Sequence, residues 1–536
     1  MPGSNARRRF AGVLASLLLV GSGRPSLAAE VLEVQLDGMA IPIDLRQLEQ
    51  WSQAPERDSS ELGVWLNLLD PRSRRNLAQL LQAPLLRDKS FGQQLLNSWT
   101  GEQLLGEVAQ LLQPEGTSAQ AASLLRQTLG ELLQRERQVS TLQLLRALPA
   151  TRVSLRLDGV IALAGQWRAQ LERQRQALLA LRRLGLPLRQ SRPLQLSQSD
   201  SRPPVVMALP VPHRQSPLPL ALWPSPGPRQ GPWVLLMPGL GGDGDQLSWL
   251  AANLAQWGWP VVVVDHPGSD ADALKASLDG QRPPPGAESL SERLADVEAV
   301  LQAQRHGGLP ALQTPAAAPV VLMGHSLGGL TALLAAGWRP EPGLQQRCRK
   351  ALNRLPLTNL SHLLQCQLPE RPVQGSARGV AAAVAFNGFG SLLWPAGGPT
   401  QGAMPVLLVG GSLDLITPPL SEQLGLFNGQ QHPRSRLVLL EGGSHFSALR
   451  VQRQEQALFQ LDKELVGINP RQAQELLLQL TLEFLLGLKQ PLLLSPQVRQ
   501  QNGIVAHVLN APMARRWQRQ IKTRGADPAV PPAHQP

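Results

Sequence analysis

The stretch Pro319–Leu334, PVVLMGHSLGGLTALL, decides how the chain is read. Val320 to Met323 is a short apolar run of the kind that forms a buried strand, and Leu327 to Ala336 is a run of small and apolar residues suited to a helix. Between them stands Gly324-His325-Ser326-Leu327-Gly328, with Gly329 behind it. This is G-x-S-x-G in the setting its chemistry needs, strand, sharp turn and helix. The turn strains the serine backbone and crowds it against strand and helix, so its flanks must be nearly free of side chains. A hydroxyl held there sits at a helix N-terminus, where a developing anion is favoured.

A lone serine is a weak nucleophile. It needs a base, and the base needs a group to orient it. In one recurring arrangement the acid and then the histidine follow the serine in the chain. Four histidines lie beyond His362: His432, His445, His507 and His534. His432 is in a polar loop before a strand, His507 lies past the last clear sheet element, and His534 is in a Pro-rich tail. His445 follows the strand Arg436 to Glu441, in the loop Gly442-Gly443-Ser444-His445-Phe446. Asp414 is the one aspartate between Ser326 and His445, and it too follows an apolar strand, Val406 to Val409. Three members in order, each just past a predicted strand, are the expected catalytic set.

The composition bounds the alternatives. A chain of 536 residues, 43% of them hydrophobic, can bury a large core in two or three domains. The formal charge is +12, with arginines gathered near both ends and no basic stripe interleaved with aromatics. Nucleic-acid binding is therefore excluded as an expectation, and weak attraction to an anionic membrane surface through the tail is retained. Tyrosine is absent and can play no catalytic part. The two cysteines, Cys348 and Cys366, make no metal site, and no H-E-x-x-H or C-x-x-C occurs.

Taken in order, residues 1–29 read as an export signal: Arg7-Arg8-Arg9, an apolar core from Phe10 to Val20, and small residues before a cleavage point after Ala28 or Ala29. The expected compartment is periplasmic or extracellular. Residues 30–184 read as a helical accessory domain after a short extended pair around Asp37-Gly38, with Pro71, Pro84 and Pro114 punctuating the helices. Residues 185–500 hold the catalytic domain, with an insertion at 340–378 in the position of a lid. The insertion has two short helices joined by Pro356-Leu357-Thr358-Asn359. A disulfide between Cys348 and Cys366 is expected there, because an exported chain keeps disulfides and the two have no other partners. Phe389 and Trp394 are candidates to wall the pocket. Residues 501–536 read as a basic, then Pro/Ala-rich tail.

Upstream, the strand Trp233 to Met237 runs into Pro238-Gly239-Leu240-Gly241-Gly242-Asp243-Gly244, and Asp265 ends the next strand. Gly239, Gly241, Gly244 and Asp265 match a dinucleotide-binding fingerprint. Asp243 and Asp245 would put negative charge where a pyrophosphate must sit, which argues against it. The same loop can instead donate a backbone N–H to an oxyanion.

The oxyanion loop and the serine elbow together resemble those of platelet-activating-factor acetylhydrolases and dienelactone-hydrolase-type enzymes, over roughly Val205 to Leu449. Pro238 stands where the former have histidine, and the dienelactone hydrolases use cysteine where this chain has Ser326. The order of domains also resembles a bacterial family of predicted hydrolases with a helical N-terminal domain behind a signal peptide. The resemblance implies an α/β-hydrolase fold, a mostly parallel sheet flanked by helices, with an N-terminal all-α domain and a helical lid insertion. It implies Ser326, Asp414 and His445 as catalytic residues, Leu240 and Leu327 as oxyanion donors, no cofactor, and a small-molecule or lipid-like ester as substrate. The competing readings are a catalytically silent binding protein of the same fold and a dinucleotide-dependent oxidoreductase.

Overall fold

In the computed structural model the chain divides into two units, Met1–Ile161 and Ala162–Pro536. It describes residues 28–86, 89–190, 203–353, 358–369, 378–398, 404–450, 468–489 and 494–525. The expected export signal, except for Ala28 and Ala29, the turn at Pro356-Leu357 and the expected tail beyond Gly525 lie outside the described residues. Among the described residues no helix is long and apolar enough to cross a membrane.

The first unit contains a sheet as well as helices. Its strands are β1 (Val31–Leu36), β2 (Met39–Asp44), β3 (Pro84–Leu86), β4 (Leu112–Pro114), β5 (Val139–Ser140) and β6 (Arg152–Arg156). Four of them form one sheet in the order β2-β1-β6-β4, with β1 and β6 parallel. This corrects the expectation of an all-α domain: β4 and β6 are only three and five residues long, too short to show a period of two. The β1–β2 turn places Asp37 and Gly38 at φ 49° and 76°, the pair of positive values a tight hairpin turn requires. Helices follow the sequence signals. Pro71 opens Pro71–Gln82 behind the capping carboxylate of Asp70, and Ser98 and Ser140 cap two others. Leu45, Trp51, Leu125 and Leu133 are fully buried in its core.

The second unit is built on an eleven-stranded sheet. Its strands are β7 (Leu188–Gln190), β8 (Val205–Leu209), β9 (Leu218–Trp223), β10 (Trp233–Met237), β11 (Val261–Val264), β12 (Val320–His325), β13 (Val380–Phe386), β14 (Val406–Gly411), β15 (Arg436–Leu440), β16 (Gln497–Gln501) and β17 (Ile504–Leu509). The order is β7-β16-β17-β15-β14-β13-β12-β10-β11-β9-β8. The six strands from β15 to β11 are mutually parallel. Antiparallel strands extend both ends: β9 and β8 beyond β11, β17 and β16 beyond β15. Central strands buried on both faces read as continuous apolar runs, which is why they were visible in the sequence. Leu235, Leu322 and Leu408 point into one core with the helices Leu290–Arg305 and Leu327–Ala335, while Leu236, Met323 and Leu407 point into the other with Ser248–Gln256 and Pro470–Leu486. Each such side chain, removed from water, contributes about 1.5–3 kcal/mol.

Two expected boundaries move. The expected tail, 501–536, starts inside the fold: β17 joins the main sheet, and Ala511–Gly525 is a helix whose Trp517 is buried and donates Nε1–H to the Ala177 carbonyl. The helix Leu157–Arg182, assigned by sequence to the accessory domain, buries Ala177, Ala180 and Leu181 in the core of the second unit. Its composition is amphipathic in either place, so the sequence could not say which core it serves.

Candidate active site

Ser326 follows β12 at the mouth of the helix Leu327–Ala335, with φ 52° and ψ −116°. That left-handed conformation is rare for a serine and is held by its surroundings. Ser326 N–H donates to the Phe386 carbonyl at 2.9 Å. A Cβ on Gly324 would lie 2.3 Å from the Gly328 carbonyl, and one on Gly328 would lie 2.3 Å from the Met237 carbonyl and 2.5 Å from that of Pro238. The elbow glycines are therefore steric requirements. Gly328 also lets the helix Leu327–Ala335 press against the backbone of Met237 and Pro238.

Asp414 and His445 stand beyond β14 and β15. His445 Nδ1 is 2.9 Å from Asp414 Oδ2. Asp414 is fully buried, and both of its oxygens are engaged. Oδ1 accepts the N–H groups of Ile416 (2.9 Å) and Thr417 (2.8 Å), while Oδ2 accepts Asn387 Nδ2 (2.7 Å) and Thr417 Oγ1 (2.6 Å) besides the imidazole. Burial alone would raise the carboxyl, but the nearby His445 and the hydrogen bonds from His445 and Thr417 outweigh it and hold Asp414 below the ordinary carboxylate range. The two loops mesh through glycines: a Cβ on Gly411 would lie 2.2 Å from the Gly443 carbonyl.

His325, the residue before Ser326, links the serine loop to the histidine loop. Its Nε2 is 2.9 Å from the His445 carbonyl, and the two rings stand 4.8 Å apart at 60°. Burial, then the neighbouring His445, push its pKa down to about 3, so the ring is neutral, with Nε2–H donating and Nδ1 bare. Ser326 Oγ makes no hydrogen bond to any described residue; apo sites often tighten only around substrate. The backbone of Gly239 closes the other side, since a Cβ there would meet His325 Nδ1 at 3.0 Å and Ser326 Cβ at 3.2 Å. Among the described residues the N–H groups of Leu240 and Leu327 have no protein acceptor.

The other sequence candidates are elsewhere. His507 is not beyond the sheet but on β17, hydrogen-bonded to Glu441 at 2.6 Å, and Glu441 also pairs with Arg182. Phe389 and Trp394 are buried packing residues, Trp394 edge-on to Trp338. Asp265, just beyond β11, accepts the Gly244 N–H of the loop after β10 at 2.6 Å, which leaves the fingerprint carboxylate occupied. The sulfurs of Cys348 and Cys366 are bonded, joining the insertion helices Leu344–Ala351 and Ser361–Cys366. Sequence reasoning passed over Asn387, Thr417 and His325. Asn387, at φ 50°, carried a signal, because an asparagine before Gly388 at a strand end suits that conformation. Among the described residues no His/Cys/Asp/Glu cluster could hold a metal ion.

Residues 28–156 match the family model described as "Alpha/beta hydrolase of unknown function (DUF1400)", and residues 229–347 match the one described as "Serine aminopeptidase, S33". No curated protein matches the chain. The first match lies within the first unit, and the second covers β10 to β12, the loop after β10 and the turn at Ser326. Sheet and matches together make the chain a member of the α/β-hydrolase superfamily, and a hydrolase.

Proposed function

We propose that the protein is an exported serine hydrolase that cleaves a carboxylic ester through an acyl-enzyme. Ser326 Oγ attacks the acyl carbonyl and its proton passes to His445 Nε2. Asp414 accepts the His445 Nδ1–H bond, fixes the tautomer and stabilises the imidazolium. The N–H groups of Leu240 and Leu327 receive the tetrahedral oxyanion, each worth roughly 3 kcal/mol. The imidazolium returns its proton to the leaving alcohol, and a water repeats the sequence to release the acid. These groups supply every proton and charge that the steps need. The observation that carries the reading is the buried Asp414–His445 pair at 2.9 Å, whose loop is tied through His325 to a serine in a strained elbow.

The aminopeptidase description raises the amide alternative. A substrate α-ammonium needs a free carboxylate, and among the described residues of the loops beyond β13 and β14 the two buried carboxylates, Asp414 and Glu422, are consumed by hydrogen bonds. This favours an uncharged acyl group. Export is supported by the signal-like residues 1–29 and by a disulfide in the insertion, which persists outside a reducing cytosol. The test is a fluorophosphonate probe on the purified chain, followed by nitrophenyl esters of increasing length and aminoacyl nitroanilides. Labelling at Ser326 and ester turnover, both lost in Ser326→Ala, are expected. Turnover that survives in a clean Ser326→Ala preparation would sink the reading, and anilide cleavage faster than ester cleavage would move it to a peptidase.

A further inference from the structure

Arg293 is fully buried on the helix Leu290–Arg305 and forms no ion pair within 4 Å with any described residue. All of its acceptors are neutral, and all belong to two loops. Nη1 donates to the Pro238 carbonyl at 2.8 Å and Nη2 to the Gly239 carbonyl at 2.9 Å. Nε donates to Ser269 Oγ at 2.8 Å and Nη2 also to the Ser269 carbonyl at 3.1 Å. The Ser269 carbonyl in turn accepts the Gly241 N–H at 2.8 Å. Every peptide from Pro238 to Gly241 is thus gripped by this one guanidinium or by the carbonyl beside it. Burying a cation among carbonyls is costly, and packing alone could be met more cheaply by a methionine.

We propose that Arg293 is a positioning residue for the oxyanion donor, acting through the peptide that joins Gly239 to Leu240; this rests on the serine-hydrolase reading above. The peptide is trans, so its C=O and N–H point to opposite sides. Holding the Gly239 carbonyl from the helix side aims the Leu240 N–H the other way, while the Gly239 backbone itself lies against Ser326. The charge beside the carbonyl also polarises the peptide and strengthens the donor at its other end. Preorganised donors matter most where charge develops, so the clamp acts on the transition state rather than on bound substrate. Burial lowers the Arg293 pKa to about 9, which leaves it charged at neutral pH.

The experiment compares Arg293→Met, Arg293→Lys and Ser269→Ala with wild type on nitrophenyl butyrate, with active sites titrated and folding followed by melting. Butylboronic acid, which forms a tetrahedral adduct on the serine, reports the oxyanion site. In Arg293→Met, kcat per titrated site is expected to fall about thirtyfold with KM within about twofold. The boronate inhibition constant should rise by a similar factor, and Arg293→Lys should recover part of both. Ser269→Ala, which removes one acceptor and keeps the charge, should lose about threefold to tenfold in both measurements. A folded Arg293→Met with kcat near wild type, or a fall in kcat with unchanged boronate binding, would overturn the clamp. If Arg293→Met does not fold, unchanged boronate binding in both other variants overturns it, and a parallel rise supports it. A wild-type chain inert to both fluorophosphonate and esters would instead overturn the hydrolase reading, and the inference with it.

Discussion

The second unit holds two buried aspartate–imidazole pairs that are nearly alike in geometry and opposite in electrostatics. In one, Asp414 Oδ2 meets His445 Nδ1 at 2.9 Å; in the other, Asp296 Oδ2 meets His266 Nδ1 at 2.8 Å. Both carboxylates are fully buried. Around Asp414 the remaining donors are neutral: an amide, a hydroxyl and two backbone N–H groups. Around Asp296 the Arg214 guanidinium takes both oxygens at 2.6 Å, and His213 adds a bond at 2.7 Å. Burial works against the Asp296 charge, but the bonds from His266 and Arg214 prevail and lower its pKa to about 2. Its charge is already answered by a cation, so little remains to stabilise a proton on His266. Burial, then the charge of Arg293, hold that ring near pKa 4. The difference teaches that an Asp–His distance alone does not single out a catalytic pair; in the proposed mechanism the working carboxylate is the one whose other partners are neutral.

The sharpest way to break this comparison is to neutralise each carboxylate in turn. Asp414→Asn should keep the fold and cut kcat by about ten-thousand-fold, because the amide favours the wrong imidazole tautomer. Asp296→Asn should leave kcat per titrated site within about tenfold of wild type but lower stability by about 3 kcal/mol, because it takes the buried carboxylate away from the part-buried Arg214, which keeps only the longer contact to Glu292. Ester kinetics on titrated enzyme and urea unfolding separate the two outcomes. A near-normal Asp414→Asn would show that the acid has been misassigned.

A second prediction uses pH. The folded pKa of His266 lies below its ordinary 6.5, so the unfolded chain binds the extra proton between about pH 4 and 6.5. Its contribution to stability is complete above that window and is lost as pH falls through it. His325 acts in the same sense. Replacing His266 with Gln should therefore flatten the acid limb of stability against pH by up to about 1.4 kcal/mol per pH unit. Urea midpoints across the window measure it, and an unchanged slope would show that His266 does not titrate on unfolding.

The smallest expected effect refines the neutral shell. Thr417→Val removes one hydroxyl donor from Asp414 Oδ2 and should cost about tenfold in kcat, with the backbone bond to Oδ1 intact. If that loss matched the loss in Asp414→Asn, the hydroxyl rather than the carboxylate would be orienting His445.

What was legible in the sequence follows from burial. Strands β10 to β15, apolar on both faces, could be read almost to the residue, and so could the glycines that crowd Ser326. Strands β16 and β17 could not: Gln497, Arg499 and Gln501 are buried yet polar, so the run VRQQ reads as surface. Their one signal was Asn502-Gly503, a two-residue hairpin turn. Arg293 had no signal at all, because its partners are backbone carbonyls brought from two distant loops. Asp296 and His266 likewise meet only in the fold.

The sheet also ends in two unlike margins. At one, β7 is three residues long, fully exposed, and carries Arg189. At the other, β8 offers Val205 and Val206, 46% and 75% exposed, along an outer strand of five residues. An open apolar margin is a template on which another chain can add a strand. Here Pro203 and Pro204 precede it and Pro210 and Pro212 follow, and prolines lack the N–H that would carry such pairing onward. Concentrated or partly unfolded protein should therefore begin to aggregate along Val205–Leu209, and the flanking prolines confine that hazard to five residues.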